Sequence, residues 1–196
     1  MRKLKKFIEV YLPQVVLIVF SVVLGLYLNQ KMVERNDRIK ANQLLLMVKA
    51  EIKSNQKILE NWYPYHKQIY QELDSLKNDP EFIKEFQEDK DVLKKSWTRR
   101  TFMGEIMSDA SWEVAKLNPV VSEISFDKMN FLTKLYLQQS LTFTPMLDMF
   151  EIFNQPFINT PKNAKENLNL INGYMKELVA RESELAYYFE AAKEML

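Results

Sequence analysis

Cysteine is absent from this chain of 196 residues, histidine occurs once and glycine only three times. Without Cys there is no disulfide, no thiolate metal ligand and no thiol nucleophile. So few Gly residues disfavour turn-rich β architectures, which rely on Gly for positive φ, and leave long helices as the favoured reading. A lone histidine, His66, excludes a dinuclear carboxylate centre built on two Glu-x-x-His motifs. Any His-dependent triad would have to use this one residue. No Gly-rich phosphate loop is present. Charge of one sign is lacking too: 27 Lys and Arg stand against 26 Asp and Glu, a net charge of +1. No global field therefore draws the chain to nucleic acid. The expectation is no catalytic residue, no metal, no cofactor and no nucleic acid.

What is abundant is apolar, 47% of the residues, and it is unevenly placed. Arg2, Lys3, Lys5 and Lys6 open the chain, and residues 10–28 follow, apolar except for Pro13, Gln14 and Ser21. About 19 residues at 1.5 Å rise span roughly the 30 Å hydrocarbon core of a bilayer. The organisation expected is a basic tail over residues 1–9, a transmembrane helix over 10–30 and a helical stalk over 31–196. A cleavable signal peptide, with its site at Val23 and Gly25, is the competing reading. The apolar run continues past that site, which favours a retained anchor. Lys31, Arg35, Arg38 and Lys40 balance the four N-terminal cations, so positive charge alone sets no orientation. Length favours the short tail inside and the long domain outside, because long domains translocate largely regardless of charge.

Beyond the span, steps of three and four recur. The first series is Leu45, Val48, Ile52, Asn55, Leu59, Trp62, His66, Ile69, Leu73 and Leu76. A second runs Met129, Leu132, Tyr136, Gln139, Phe143, Met146, Phe150 and Phe153. The third is Ala164, Leu168, Ile171, Met175, Leu178, Glu182, Leu185, Phe189, Ala192 and Leu196. A mean spacing of about 3.5 residues places each series on one stripe, the seam of a left-handed helical bundle. The fold class read from this is all-α: one N-terminal transmembrane helix, then an elongated antiparallel, heptad-patterned bundle. Two shorter helical stretches are expected at about 80–97, with Phe82, Phe86, Leu93 and Trp97 along one face, and at about 109–117. Asp79-Pro80 and Thr160-Pro161 read as helix starts, and Asn118-Pro119 as a stop. Pro64 and Pro145 fall inside the series, where a missing donor predicts a kink or break.

Four polar residues interrupt the stripes: Asn55, His66, Gln139 and Glu182. Such groups fix register and oligomeric state when paired, or line a polar pocket between helices. Lys94, Lys95, Arg99 and Arg100 surround Trp97 as a basic patch, readable as a charged inter-helix turn or as a lipid-headgroup or nucleic-acid contact. Glu81, Glu85, Glu88, Asp89 and Asp91 precede it and weaken its field. Ser21 and Gly25, four apart in the span, form the small-xxx-small arrangement that lets helices approach closely in lipid.

The order of basic tail, span ending at Leu28-Asn29, charged helix through Arg35 to Leu59, and later Ser111-Trp112 and Leu135-Tyr136 resembles an uncharacterised family of small single-pass Bacteroidota membrane proteins. The chain departs from that family in lacking a Trp shortly after the span. The resemblance implies a bacterial inner-membrane location and no known enzyme activity. The long bundle also looks like chemoreceptor ectodomains in architecture alone, which licenses no function. The expected partners are the lipid bilayer and other proteins, in a membrane complex or a homo-oligomer. The expected role is a non-enzymatic accessory or scaffolding subunit; the alternative is a sensory ligand-binding domain that acts through a partner, since a six-residue tail holds no output domain.

Overall fold

The computed structural model describes residues 2–93 and 105–196, with side chains from residue 11 onward. Among these residues there is no strand, and the fold is all-α. Helix α1 (Arg2–Leu76) is a single element of 75 residues, on the order of 110 Å at helical rise. It is followed by α2 (Pro80–Glu88), α3 (Ala110–Leu117), a 3₁₀ turn (Pro119–Glu123), α4 (Phe126–Thr142), α5 (Thr144–Phe153) and α6 (Ala164–Met195).

Along α1 the environment changes once. Every residue from 11 to 33 is exposed, and none from 11 to 40 is buried. One helix of the described residues, near the N-terminus, is thus long and apolar enough to cross a membrane, and none of its apolar window is buried among them. From Ala41 onward the same helix carries the core. Ala41, Leu44, Val48, Ile52 and Leu59 pack with α3, the 3₁₀ turn, α4 and the Leu185–Phe189–Ala192 face of α6. Farther along, Ile69 and Leu73 pack with Phe82 and Phe86 of α2, with Met146, Met149 and Ile152 of α5, and with Ala164 to Leu178 of α6. Helix α6 runs antiparallel to α1: Asn172, Glu182 and Glu190 meet Asp74, His66 and Gln56 in that order.

Several local expectations hold. Asp79 caps α2 by accepting from the amides of Glu81 (2.8 Å) and Phe82 (3.3 Å). Asn118 closes α3, and its side chain accepts from Val120 N at 3.2 Å. The chain breaks at Phe143, and Pro145 sits in the first turn of α5, where its missing N–H has no helical partner to lose.

Others need correction. Helix α1 continues through Pro64 without a break. Pro64 and Glu60 are both exposed, so the Glu60 carbonyl that loses its donor faces water, while Trp62 and His66 are buried on the packed face. Helix α2 stops at Glu88 rather than near Trp97, because the Asp89 carboxylate takes the Asp91 amide at 2.9 Å and offers the backbone a turn instead. Trp97 lies outside the described residues. Helix α6 starts at Ala164, not at Pro161. The Thr160 carbonyl is occupied by Asn163 N (2.9 Å) and Ala164 N (2.8 Å), and Asn167 holds the Ile158 carbonyl at 2.7 Å, which seats Ile158 in the core. The break at Phe143 also shifts the phase of the second series. Met146, Met149 and Ile152 are buried, whereas Phe150 is 37% exposed.

These burials set a contrast that melting experiments can read. Leu178 is fully buried, so Leu178→Ala is expected to cost about 2–5 kcal/mol, with Phe150→Ala costing less than half of that. Lys176→Ala and Glu177→Ala should stay within about 0.5 kcal/mol of the parent chain. Equal losses at all four positions in denaturant melts followed by circular dichroism would contradict the packing described.

Candidate functional site

The polar residues of the helix seams fall into two separate groups. The first joins α1, the residues before α3, and α4. Asn55 reads the backbone of Ser108 as a strand neighbour would: its Oδ1 accepts from Ser108 N at 3.0 Å and its Nδ2 donates to Ser108 O at 2.6 Å. The same Nδ2 donates to Gln139 Oε1 at 2.9 Å, and Gln139 Nε2 donates to Ser108 O at 3.1 Å. Ser108 precedes α3 without being helical, so its backbone groups need partners from elsewhere, and two side-chain amides supply them.

Glu51, one α-helical turn before Asn55, completes this group, although no stripe of the sequence singled it out. Its carboxylate accepts from Ser108 Oγ (2.9 Å), Ser111 N (2.8 Å), Trp112 N (3.4 Å) and Tyr136 OH (2.8 Å). Asp109, the residue at the start of α3, makes no capping bond with its own side chain. Glu51 therefore performs the N-cap function from another helix, satisfying two of the orphan amides and placing negative charge at the positive end of α3. Burial acts to raise its pKa, but the bonds from Ser111, Tyr136, Ser108 and Trp112 outweigh burial, and the net shift is downward. Tyr136 moves the other way, pushed above the ordinary phenol range by burial and by its bond to Glu51. Its ring stacks on Trp112 with centroids 5.5 Å apart.

The second group is a buried histidine–carboxyl pair. His66 Nδ1 lies 2.7 Å from Glu182 Oε1, with side-chain exposures of 2% and 1%. Trp62 stacks on the imidazole at 5.7 Å between centroids. Glu182 Oε2 is enclosed and has no hydrogen-bond partner among the described residues. The pair sits at the junction of the two apolar clusters, after Leu59 and before Ile69 on α1, and between Leu178 and Leu185 on α6. Of the four polar seam residues, the structure thus brings Asn55 to Gln139 and His66 to Glu182, and it does not join the two pairs.

The remaining candidates are simpler. Ser21 Oγ donates to Leu17 O at 2.8 Å, within its own helix, and a Cβ added at Gly25 would meet nothing within 4 Å. Both leave a small, open face on the apolar run. Lys94, Lys95, Arg99 and Arg100 lie outside the described residues. Among the described residues no cluster of three His, Cys, Asp or Glu side chains could hold a metal ion. Chemically, the Glu51 group is closed: its acceptors are filled by helix amides and hydroxyls, which suits it to positioning rather than to proton transfer.

The class that fold and site define is an all-helical protein with one exposed apolar helix long enough to span a bilayer and two buried polar clamps. No family model, no curated protein and no solved structure matches the chain.

Two measurements probe the clamps. A carboxylate with a lowered folded-state pKa stabilises above the unfolded value, about 4.3 for Glu, and that contribution is lost as pH falls through the folded value. The stability of the parent chain should therefore drop below about pH 4, and Glu51→Gln should flatten that drop and cost on the order of 1.5–3 kcal/mol at pH 7. An unaltered acid slope in Glu51→Gln would remove Glu51 from the account. For the buried pair, Glu182→Leu alone leaves His66 without its carboxylate and is expected to cost about 3–5 kcal/mol, while His66→Leu with Glu182→Leu recovers most of the loss. Additive losses in that double-mutant cycle would show that the two side chains are not coupled.

Proposed function

We propose that the protein is a membrane-anchored, non-enzymatic accessory or scaffolding subunit, which binds partner proteins through its span and through an elongated antiparallel, heptad-patterned helical stalk. One observation carries this reading: a single unbroken helix is exposed and apolar over residues 11–28 and becomes the packed spine of the body from Ala41. An apolar helix with no partner in its own chain is costly in water and stable in lipid. Support for a non-catalytic role comes from chemistry. The one histidine is stacked on Trp62 and hydrogen-bonded to Glu182 in the core, and the best-connected carboxylate, Glu51, caps a helix. In this reading the N-terminus lies in the cytoplasm and the stalk in the periplasm of a bacterial inner membrane, in keeping with the family resemblance. Ser21 and Gly25 are the span's candidate contact with another membrane helix.

Carbonate extraction should leave the chain in the membrane with Met1 retained, and protease added to intact spheroplasts should digest the stalk. A soluble chain beginning near Leu26 would sink the anchor, and a stalk digested only after lysis would reverse the orientation. Ser21→Leu with Gly25→Leu should leave insertion intact and lower the recovery of companion proteins in mild detergent. Unchanged recovery after that double change, and again with the span replaced by poly-Leu, would move partner binding onto the stalk.

A further inference from the structure

Between α1 and α6, in the part of α1 from Lys49 to Glu60, lies an open trough of about 480 Å³ walled by these two helices and the C-terminal Leu196. Ile52, Phe189 and Ala192 form its apolar floor, and Lys49, Lys53 and Lys57 stand along one wall. The charges of this trough are unequally matched. Lys193 is held by Glu190 at 2.7 Å, and Glu60 and Glu190 each accept from Gln56, at 2.9 and 2.6 Å. Lys49, Lys53 and Lys57 are exposed, and none of the three has an ion-pair partner among the described residues.

We propose that this trough is the docking site for an acidic amphipathic helix of a partner protein. The inference rests on the scaffolding role proposed above and names the partner's chemistry. Three observations select that occupant. Lysines four residues apart recur every 6 Å or so along α1, a spacing that Glu or Asp side chains on one face of a second helix reproduce. The groove between two antiparallel helices is the shape that receives a third helix, apolar face inward, at about 8–10 Å between axes. Position excludes lipid headgroups: Lys49 lies 21 residues beyond Leu28 on the same helix, about 30 Å above the apolar run, more than the depth of a headgroup layer. A small anion would remain half solvated in a trough open along its length.

The test uses the full chain in phosphatidylcholine nanodiscs and a fluorescein-labelled synthetic helix with Glu at every fourth position beside a Leu face. Anisotropy should report saturable binding that weakens with salt. Reversing Lys49, Lys53 and Lys57 to Glu together should loosen it about tenfold or more, as three exposed ion pairs allow. Reversing Lys84, Lys162 and Lys165, which lie outside the trough, should change it less than about twofold, with melting curves unchanged in both variants. No saturable binding, or equal binding by both variants, overturns the proposal. So does displacement of the peptide by laurate, which would make the trough a site for small amphiphilic anions. Self-association of the parent chain that is abolished by the trough reversal would assign the groove to a second copy and equally overturn it. Carbonate-resistant insertion is measured separately, so a chain that stays in the membrane but fails to bind the peptide loses this inference alone. Release from the membrane with peptide binding intact loses the anchor alone.

Discussion

The continuity of α1 is the constraint on which the other elements depend. Ala41 to Leu59 and Ile69 to Leu73 belong to different apolar clusters, and both are rows of one helix. Each later element finds its place by packing against that rod or against α6, which is laid along it. Between the apolar run and the first buried residue, residues 29–40 remain helical with little tertiary support. An isolated helix of that length is marginal in water. Here it is extended at both ends by helix with its own reasons to form, lipid-compatible on one side and packed on the other, so nucleation is already met. The helix therefore joins the apolar run to the body without a break.

Apolar rows alone would not fix how α6 and α4 slide along α1, since burial of apolar area is non-directional. The polar clamps supply that selectivity. Shifting α4 by two turns would strip Gln139 from Asn55 and Ser108 and Tyr136 from Glu51, removing one bond from each of the two α1 residues and the partners of both α4 side chains. A corresponding shift of α6 would separate His66 from Glu182. Each error costs more than the correct pairing gains, because an unmade buried hydrogen bond forfeits its full desolvation penalty. The clamps therefore act chiefly against the alternatives. The His66–Glu182 pair has the further property of lying between clusters, where a packing fault on one side would otherwise be invisible to the other.

The third series was legible from Ala164 to Ala192 because α6 is one uninterrupted helix: a single phase carries across those positions and all of them are buried, while Leu196, past the helix end, is half-buried. The second series misled at Phe150 because it was carried across Pro145, where the helix restarts with a new phase. Pro64 misled in the opposite direction, since the cost of a proline depends on which face it occupies, and this one is exposed. Asn55, Gln139, His66 and Glu182 could be singled out as polar interruptions, but the pairing between them is a three-dimensional fact that no spacing encodes. Glu51 was missed altogether. Its trace in the sequence is the run Val48, Glu51, Asn55, steps of three and four on the face that meets α3 and α4, yet its main partners are backbone amides, which leave no mark in side-chain pattern.

Under the proposed roles, the apolar run and the trough together restrict what a partner can be. The apolar run lies on α1 and the trough is walled by it, and the helix between Leu28 and Lys49 sets their separation at about 30 Å along its axis. A partner that meets only the span gains close packing between helices, and one that meets only the trough gains a few exposed ion pairs and a narrow apolar strip. Neither contact alone is large by the standard of stable interfaces. A membrane protein whose own helix rises beside α1 would meet both, and the second contact would then form at the high effective concentration set by the first. That gain survives only while the spacer is stiff and of matched length. On the proposed reading, the helical continuity of residues 29–40 would contribute to recognition although none of those side chains need touch the partner.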